Sequence, residues 1–320
     1  MRALVTGGAG FIGSNLALEL EKRGDKVTVI DNFVSGDFKN LTQFKGEVIA
    51  ENVLDVDWLS RIPRPDVIFH QAAITDTTIL DQKYMIRENF EGFHKIIQFA
   101  VKHKAKLVYA SSAGVYGNGS APQRENQELS PLNPYAFSKY LMDQFIYDLI
   151  KNAPITIVGL RYFNVFGPRE QHKKKAASMI YQLYLDMKEG RRPRIFKYGE
   201  QKRDHVYVKD VVRANLLAAE SKKSGIVNVG TGSGTHFNEL VSELNKSLGT
   251  SLEPDYFDNP YDFYQNDTCA DPSHAKELIG YQAEFSFANA VKDYVTWLES
   301  RSLSPFPLPR GGRGAGVRVE

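Results

Sequence analysis

Cysteine is nearly missing from this 320-residue sequence, which holds only Cys269. One thiol excludes an internal disulfide and a cysteine-based zinc site, and it fits a reducing compartment. No metal site is expected. Long apolar runs are missing too: eighteen consecutive apolar residues occur nowhere, which excludes an ordinary membrane-spanning helix. The first apolar run begins at Ala3 and passes straight into glycines, with no basic stretch, apolar stretch and cleavage motif before it. A cytoplasmic location, away from membranes, is the expectation.

Net charge is small as well. Lys and Arg number 40 and Asp and Glu 38, a balance of +2. The stretch 303–320, LSPFPLPRGGRGAGVRVE, holds Arg310, Arg313 and Arg318 against Glu320, so 3 − 1 = +2 belongs to it alone. The remaining 37 basic and 37 acidic residues cancel, which argues against nucleic acid as a partner. Rich in proline, glycine and arginine, 303–320 reads as a disordered or appended tail outside the fold.

What is present is ordinary globular composition, 42% hydrophobic and 24% charged, with length for one large domain or two moderate ones. Short apolar runs at 3–6, 26–31, 47–51, 66–70 and 106–111 suit strands buried on both faces. Between them lie helical patterns at 12–23, 55–61 and 83–103, the last with Phe90, Phe93, Ile96, Ile97 and Ala100 on one face. Such alternation predicts an α/β fold, a doubly wound (Rossmann) parallel sheet. A helix over 135–151 and a strand over 155–160 continue it. Helices over 174–189 and 236–248 and a returning strand at 227–229 follow. The division expected is 1–162 with 205–232 as dinucleotide-binding domain, and 163–204 with 233–302 as a smaller, discontinuous α+β substrate lobe.

Residues 6–13 read TGGAGFIG between a strand and an amphipathic helix. Gly8, Gly10 and Gly13 match one dinucleotide spacing, and Gly7, Gly10 and Gly13 match another. Glycine serves the tight turn, close backbone approach to a pyrophosphate, and helix packing. The helix N-terminus then turns free N–H groups toward phosphate. Asp31, at the end of the second strand, suits ribose hydroxyls and NAD, whereas Lys39 in the next loop suits a 2′-phosphate.

Tyr135 and Lys139 form Y-x-x-x-K on one helical face. An ammonium beside a phenol lowers its pKa, making the tyrosine a base near neutral pH. Ser112 follows a sheet strand at its carboxyl end, where such folds bind ligands, and its hydroxyl suits a reacting alcohol. The run His172-Lys173-Lys174-Lys175 reads, on residues alone, as a solvated basic loop near a diphosphate.

These motifs, with FHQAA (69–73), YASSAGVYG, PYAFSK (134–139), RYFNVFGPR (161–169), KRDHVYVKDV (202–211) and NVGTG (228–232), resemble the extended short-chain dehydrogenases/reductases of the nucleotide-sugar epimerase and dehydratase group. Dehydratases carry an Asp–Glu pair after the strand-end hydroxyl residue; Ala113 and Gly114 stand there. DTTILDQKYM (76–85), FNVFGPREQHKKKAASM (163–179), KRDHVYV and YQNDTCADPSHAKELIGY (264–281) are similar to segments of the ADP-glyceromanno-heptose 6-epimerases. UDP-hexose 4-epimerases fit the general motifs, and a non-catalytic dinucleotide sensor is a third reading that the Tyr–Lys pair argues against.

The resemblance implies an isomerase that inverts C6 of ADP-heptose, a lipopolysaccharide precursor, by transient hydride transfer to bound NADP, or NAD. It implies catalytic roles for Tyr135, Lys139, Ser112 and Lys173. It places Phe11 and Ile12 at the phosphates and Asp31, Asn32, Lys39 and Asn52 at the adenosine end. Gln71, Ala72, Ala73, Thr75, Asn89, Val165 and Lys173 complete the cofactor set. Ser112, Asn164, Lys175, Gln182, Phe196, Arg203 and Tyr264 would hold the nucleotide sugar, with Arg203 gripping diphosphate. A homo-oligomer, dimer or larger, is implied through the helices at 83–103 and 135–151.

Overall fold

In the computed structural model, residues 1–55, 57–258 and 267–302 are described. Tyr264 and the 303–320 tail lie outside them.

Seven strands form one sheet: β1 (Arg2–Thr6), β2 (Lys26–Ile30), β3 (Glu47–Ile49), β4 (Val67–His70), β5 (Lys106–Ser112), β6 (Ile157–Tyr162) and the later strand Gly225–Val229. Their order is β3-β2-β1-β4-β5-β6 and then Gly225–Val229, and each pairing is parallel. The expected doubly wound sheet is therefore present. Apolar runs make it so: all four residues of β4 and all six of β6 are buried, as strands covered by helices on both faces require. Chain direction across the sheet reverses between β1 and β4, which opens a crevice at their carboxyl ends.

Helices α1 (Phe11–Lys22), α2 (Gln82–Ile86), α3 (Gly92–His103) and α4 (Pro134–Leu149) flank this sheet. Asn133 caps α4 by accepting from Ala136 N at 2.8 Å, and Pro134 opens it with a φ already suited to a helix. One apolar layer joins α1 to the sheet through Leu16, Ala17 and Leu20; another joins α3 and α4 through Phe93, Ile96 and Met142. Each of these side chains other than Ala17 contributes about 1.5–3 kcal/mol of burial.

A third apolar cluster lies among later segments: α5 (Met179–Lys188), α7 (Phe237–Leu248) and α9 (Phe287–Ser302), which follow or straddle α6 (Val208–Glu220) and α8 (Ser273–Ile279). Short strands β7 (Asn164–Phe166), β8 (Arg194–Phe196), β9 (Lys202–Arg203) and β10 (His205–Tyr207) accompany them. With Gly225–Val229 as β11, the last are β12 (Thr235–His236) and β13 (Asp255–Phe257). β7 pairs with β10, β9 with β12 and β8 with β13. Among the described residues no helix is long and apolar enough to cross a membrane.

Three expected helices differ. The 55–61 segment is a 3-10 turn at Asp57–Ser60. The 83–103 helix is interrupted by a π turn at Arg87–Glu91, between α2 and α3. The 174–189 helix begins only at Met179: Lys174 sits at φ 51, ψ −117, and Ser178 caps the helix by accepting from Tyr181 N at 3.2 Å.

Candidate active site

The crevice at the carboxyl ends of β1 and β4 is a cleft of about 280 Å³. Gly7, Gly10 and Gly13 line it, and Gly8 does not, which selects one of the two glycine spacings. Gly7 has φ +67, and a Cβ there would stand 2.6 Å from Ala72 N. At Gly13 a Cβ would meet Gly7 O at 2.1 Å, so this glycine lets the helix pack on the turn. Gly10 is different, because its Cβ would meet only Gly7 O, at 3.1 Å, and would otherwise project into open space. Gly8 backs onto the Val29 side chain, a packing role. The N-cap of α1 is Gly10, with no side-chain cap and no acidic residue in the first turn. Its first N–H groups are thus left for an anion, and the residues fit a dinucleotide pyrophosphate.

Asp31 and Asn32 line one end of this cleft together with Glu51 and Asn52. Asp31 is buried and accepts from Ala9 N at 2.9 Å and Phe33 N at 2.8 Å. Burial raises its pKa and these backbone N–H groups oppose the rise. Lys39 is exposed on a 3-10 turn, its N donating to Asp37 Oδ1, and it does not line the cleft. The sequence gives no sign of which way that loop turns its lysine.

Gln71, Ala72, Ala73, Thr75 and Asn89 line the other half. The Gln71 amide is engaged by Asn215 and Tyr162. Asn89 sits in the π turn and ties its segment to two others: Oδ1 accepts from Ile74 N at 2.8 Å, and Nδ2 donates to Ile74 O and to Ser138 Oγ.

Ser112, Tyr135 and Lys139 converge in this same cleft. Ser112 accepts from Gly114 N at 3.1 Å, which fixes its hydroxyl at the end of β5. Lys139 is buried and donates to Ala110 O at 2.7 Å. Burial pulls its pKa down to about 8, opposed by the Asp143 carboxylate one turn further along α4. The phenol of Tyr135 departs from expectation. Burial raises its pKa, and a hydrogen bond with Ser112 only partly offsets the rise. The ammonium, held against Ala110, does not by itself make Tyr135 a phenolate.

Beyond Tyr162 and Phe163 lies a second cleft of about 670 Å³. Asn164, Lys175, Gln182, Phe196 and Arg203 all line it. Phe196 meets Phe257 edge to face at 4.9 Å, an aromatic wall. Arg203 is mostly buried and donates from Nη1 to Lys202 O at 2.8 Å. The Asp204 carboxylate is taken up by Thr231 N and Oγ1, Gly232 N and Ala270 N. Gln182 donates to Lys175 O and Ala177 O, so its amide is spent on the loop before its own helix.

Val165 and Lys173 line both clefts. Lys173 Nζ stands 5.8 Å from the centre of the Phe11 ring, and burial lowers its pKa while Glu170 opposes the drop. The solvated-loop reading therefore holds for the exposed Lys174 and Lys175 but not for Lys173. Asn40 ties this loop to the dinucleotide side, donating to Ala9 O and Arg169 O and contacting His172 Nδ1 at 3.1 Å. Sequence reasoning missed Glu51, His172 and His205 as lining residues. His172 was visible in the basic run, and His205 in KRDHVYV.

The profile of the NAD dependent epimerase/dehydratase family matches residues 3–230. A protein of Brachyspira hyodysenteriae, ADP-L-glycero-D-manno-heptose-6-epimerase, is 39% identical over 311 residues, 92% of this chain and 97% of its own length. The crystal structure of the Helicobacter pylori ADP-L-glycero-D-manno-heptose-6-epimerase is similar at a TM-score of 0.88 and 41% identity, covering 93% of this chain and 96% of that one. The UDP-glucose 4-epimerase of Thermotoga maritima, crystallised with UDP-glucose, matches at 0.87 and 32% identity, over 94% and 99%.

Proposed function

The chain belongs to the NAD dependent epimerase/dehydratase family, and from that premise we propose that it interconverts the C6 epimers of ADP-glycero-manno-heptose. The observation that carries the reading is Lys173 at the meeting of the two clefts, with Tyr135 in the first of them. Inverting a carbinol carbon requires the C–H bond to break and re-form on the opposite face. When bound, the nicotinamide cofactor supplies the acceptor and then the donor of that hydride.

The chain's own residues handle protons and position. On this reading Ser112 hydrogen-bonds the C6 hydroxyl, and Tyr135, as the phenolate that Lys139 and the positive charge of a bound oxidised nicotinamide would together favour, takes its proton as the ketone forms. Lys139 holds positive charge beneath the phenol. The ketone then turns about its bond to C5 to present its other face. Its oxygen moves to Lys173, which as ammonium protonates it as hydride comes back to carbon, and exchange with solvent restores the protonation states of Lys173 and Tyr135. Burial suits Lys173 to this, because a lysine of lowered pKa exchanges protons nearer neutrality. Arg203 and Lys175 face the diphosphate, and Phe196 with Phe257 faces the nucleobase.

For the cofactor, the resemblance points to NADP, with NAD as the other choice. The lining favours NAD, since Asp31 and Glu51 repel a 2′-phosphate and Lys39 stands outside the cleft. Mass spectrometry of copurified nucleotide decides this: NAD is expected, and NADP alone overturns it. The division into 1–162 with 205–232, and 163–204 with 233–302, is supported by an apolar cluster among α5, α7 and α9 apart from those on the sheet, but Ala270, Ala275, Ile279 and Tyr281 pack with the sheet, and Phe11, Tyr207 and Val208 pack with α5, α7 and α9. A homo-oligomer, dimer or larger, through the helices of 83–103 and 135–151 is supported by the exposed Tyr84 and Phe137 on them, and light scattering tests it. The free thiol of Cys269 accords with action in the cytoplasm.

The test of function is a nucleotide-sugar panel. Purified protein is given ADP-D-glycero-D-manno-heptose and, separately, UDP-galactose. Epimerisation of the heptose is expected. Conversion of UDP-galactose to UDP-glucose with no change in the heptose replaces this reading with UDP-hexose 4-epimerase.

A further inference from the structure

The loop carrying Lys173 is closed by a carboxylate that the chemistry above leaves unused. Glu170 is fully buried. Its Oε1 accepts from Gly167 N at 3.1 Å and from Ser178 Oγ at 2.8 Å, and its Oε2 accepts from Ser178 N at 2.6 Å. Gly167 follows β7 and Ser178 caps α5, so one side chain ties together both ends of the loop. The Tyr294 hydroxyl, from α9, hydrogen-bonds to the same carboxylate. Within the loop, Lys173 N donates to Glu170 O at 3.0 Å.

Such fastening is needed, because the backbone here does not hold itself. Arg169 has φ 73 and Lys174 has φ 51, left-handed values that a side chain disfavours, on either side of the lysine. Conformations of this kind persist only where the surroundings over-determine them. Gln182 adds a second pin at Lys175 O and Ala177 O.

Charge points the same way. A buried carboxylate is held by its donors or it protonates. Burial raises the pKa of Glu170, and Ser178, Gly167 and Lys173 pull it back. Glu170 in turn is the group that opposes the fall in the Lys173 pKa.

We propose that Glu170 is a positioning residue for Lys173, clasping the 167–178 loop so that the ammonium stays at the junction of the two clefts. The proposal rests on the role given to Lys173 above. It assigns Glu170 no contact with the substrate. Its effect on turnover therefore passes through Lys173 and vanishes when that side chain is gone.

The test is a double-mutant cycle of Glu170→Gln and Lys173→Met, assayed with ADP-D-glycero-D-manno-heptose. Glutamine keeps the shape but turns an NH2 group toward a donor at Ser178. Glu170→Gln should lower kcat roughly tenfold to a hundredfold, as displacement of a catalytic group does, with KM within about twofold. Amide exchange over 171–177 should quicken. In the Lys173→Met background the same change should add nothing. Ser178→Ala, which removes only the hydroxyl donor, should cost about threefold and be equally silent beside Lys173→Met; it carries the cycle if Glu170→Gln does not fold. Unchanged kcat in a folded Glu170→Gln enzyme, or losses that multiply with Lys173→Met, overturn the proposal alone. A fully active Lys173→Met enzyme overturns the role of Lys173 and the clasp with it.

Discussion

Lys139 and Lys173 both face the first cleft, both have pKa values drawn down by burial, and each is opposed by a buried carboxylate, Asp143 for one and Glu170 for the other. Their supports differ. Lys139 stands on the α4 helix, one turn after Tyr135 and one turn before Asp143. Asp143 itself accepts from Tyr109 OH, Ser111 Oγ and Arg161 Nε at 2.8–2.9 Å, with Arg161 further bonded to Tyr116 and Tyr147. Lys173 stands on a 3-10 loop flanked by left-handed residues and closed by the Glu170 clasp, with Gln182 as a second pin. A proton group with one fixed partner can sit on a rigid helix. On the proposed mechanism, the group that serves the other orientation of a turning ketone sits where two clefts join, on a segment fastened at its ends. The contrast teaches that similar electrostatics can be built on rigid or on fastened backbone.

The largest expected effect is on the rigid side. Tyr135→Phe should lower kcat by roughly 10²–10⁴-fold with cofactor still bound, as loss of a general base does. Epimer ratios followed by NMR check it; a phenylalanine enzyme near full rate removes Tyr135 from the chemistry.

Next is the anchor beneath Lys139. Asp143 and Arg161 are both fully buried, so Asp143→Asn should destabilise the fold by about 3–5 kcal/mol, as breaking a buried pair does. Asp148→Asn, from the exposed pair with Lys151, should cost under about 1 kcal/mol. Urea denaturation of both variants measures the gap, and equal costs would erase the rigid half of the comparison.

A third effect is pH-dependent. Lys139 loses its proton near pH 8, so kcat/KM should bend downward as pH rises through that value. A profile level to about pH 9.5 shows that the ammonium is not required.

The smallest effects concern buried histidines. His70 and His205 have pKa values lowered by burial from 6.5 to about 3. Between those values the unfolded chain binds more protons than the folded one. Their contribution is therefore complete above pH 6.5 and is lost as pH falls toward 3, at about 1.4 kcal/mol per histidine per pH unit. Both ring nitrogens of His205 lack hydrogen-bond partners, and the ring stacks on Phe287. His205→Phe should raise stability by about 1 kcal/mol and make the acid slope shallower by about 1.4 kcal/mol per pH unit, read from melting curves at stepped pH.

The rigid half of the site was legible in the sequence for physical reasons. Strand runs, the glycine turn and the i, i+4 pair are local patterns, and local backbone geometry turns them directly into the sheet, the phosphate turn and the Tyr135–Lys139 face. The fastened half was not legible from residues alone. Lys173 differs from Lys174 and Lys175 only through a backbone reversal and through bonds from Ser178 and Asn40, and a basic run gives no sign of these. Resemblance singled it out instead. The π turn that places Asn89 was hidden for a similar reason, since its residues read as unbroken helix. Lys39 is the opposite case: a suitable residue type, exposed outside the cleft on a turn whose direction depends on the Asp37 cap.

The most direct test of the two-base account follows C6 configuration by NMR in ADP-D-glycero-D-manno-heptose incubated with wild-type protein and with Lys173→Met. The account predicts that the wild type brings both epimers to equilibrium, while Lys173→Met, folded and still holding its cofactor, retains at most a few per cent of that rate, about the loss of a positioned proton donor. Equal rates of epimerisation in the two proteins would contradict it.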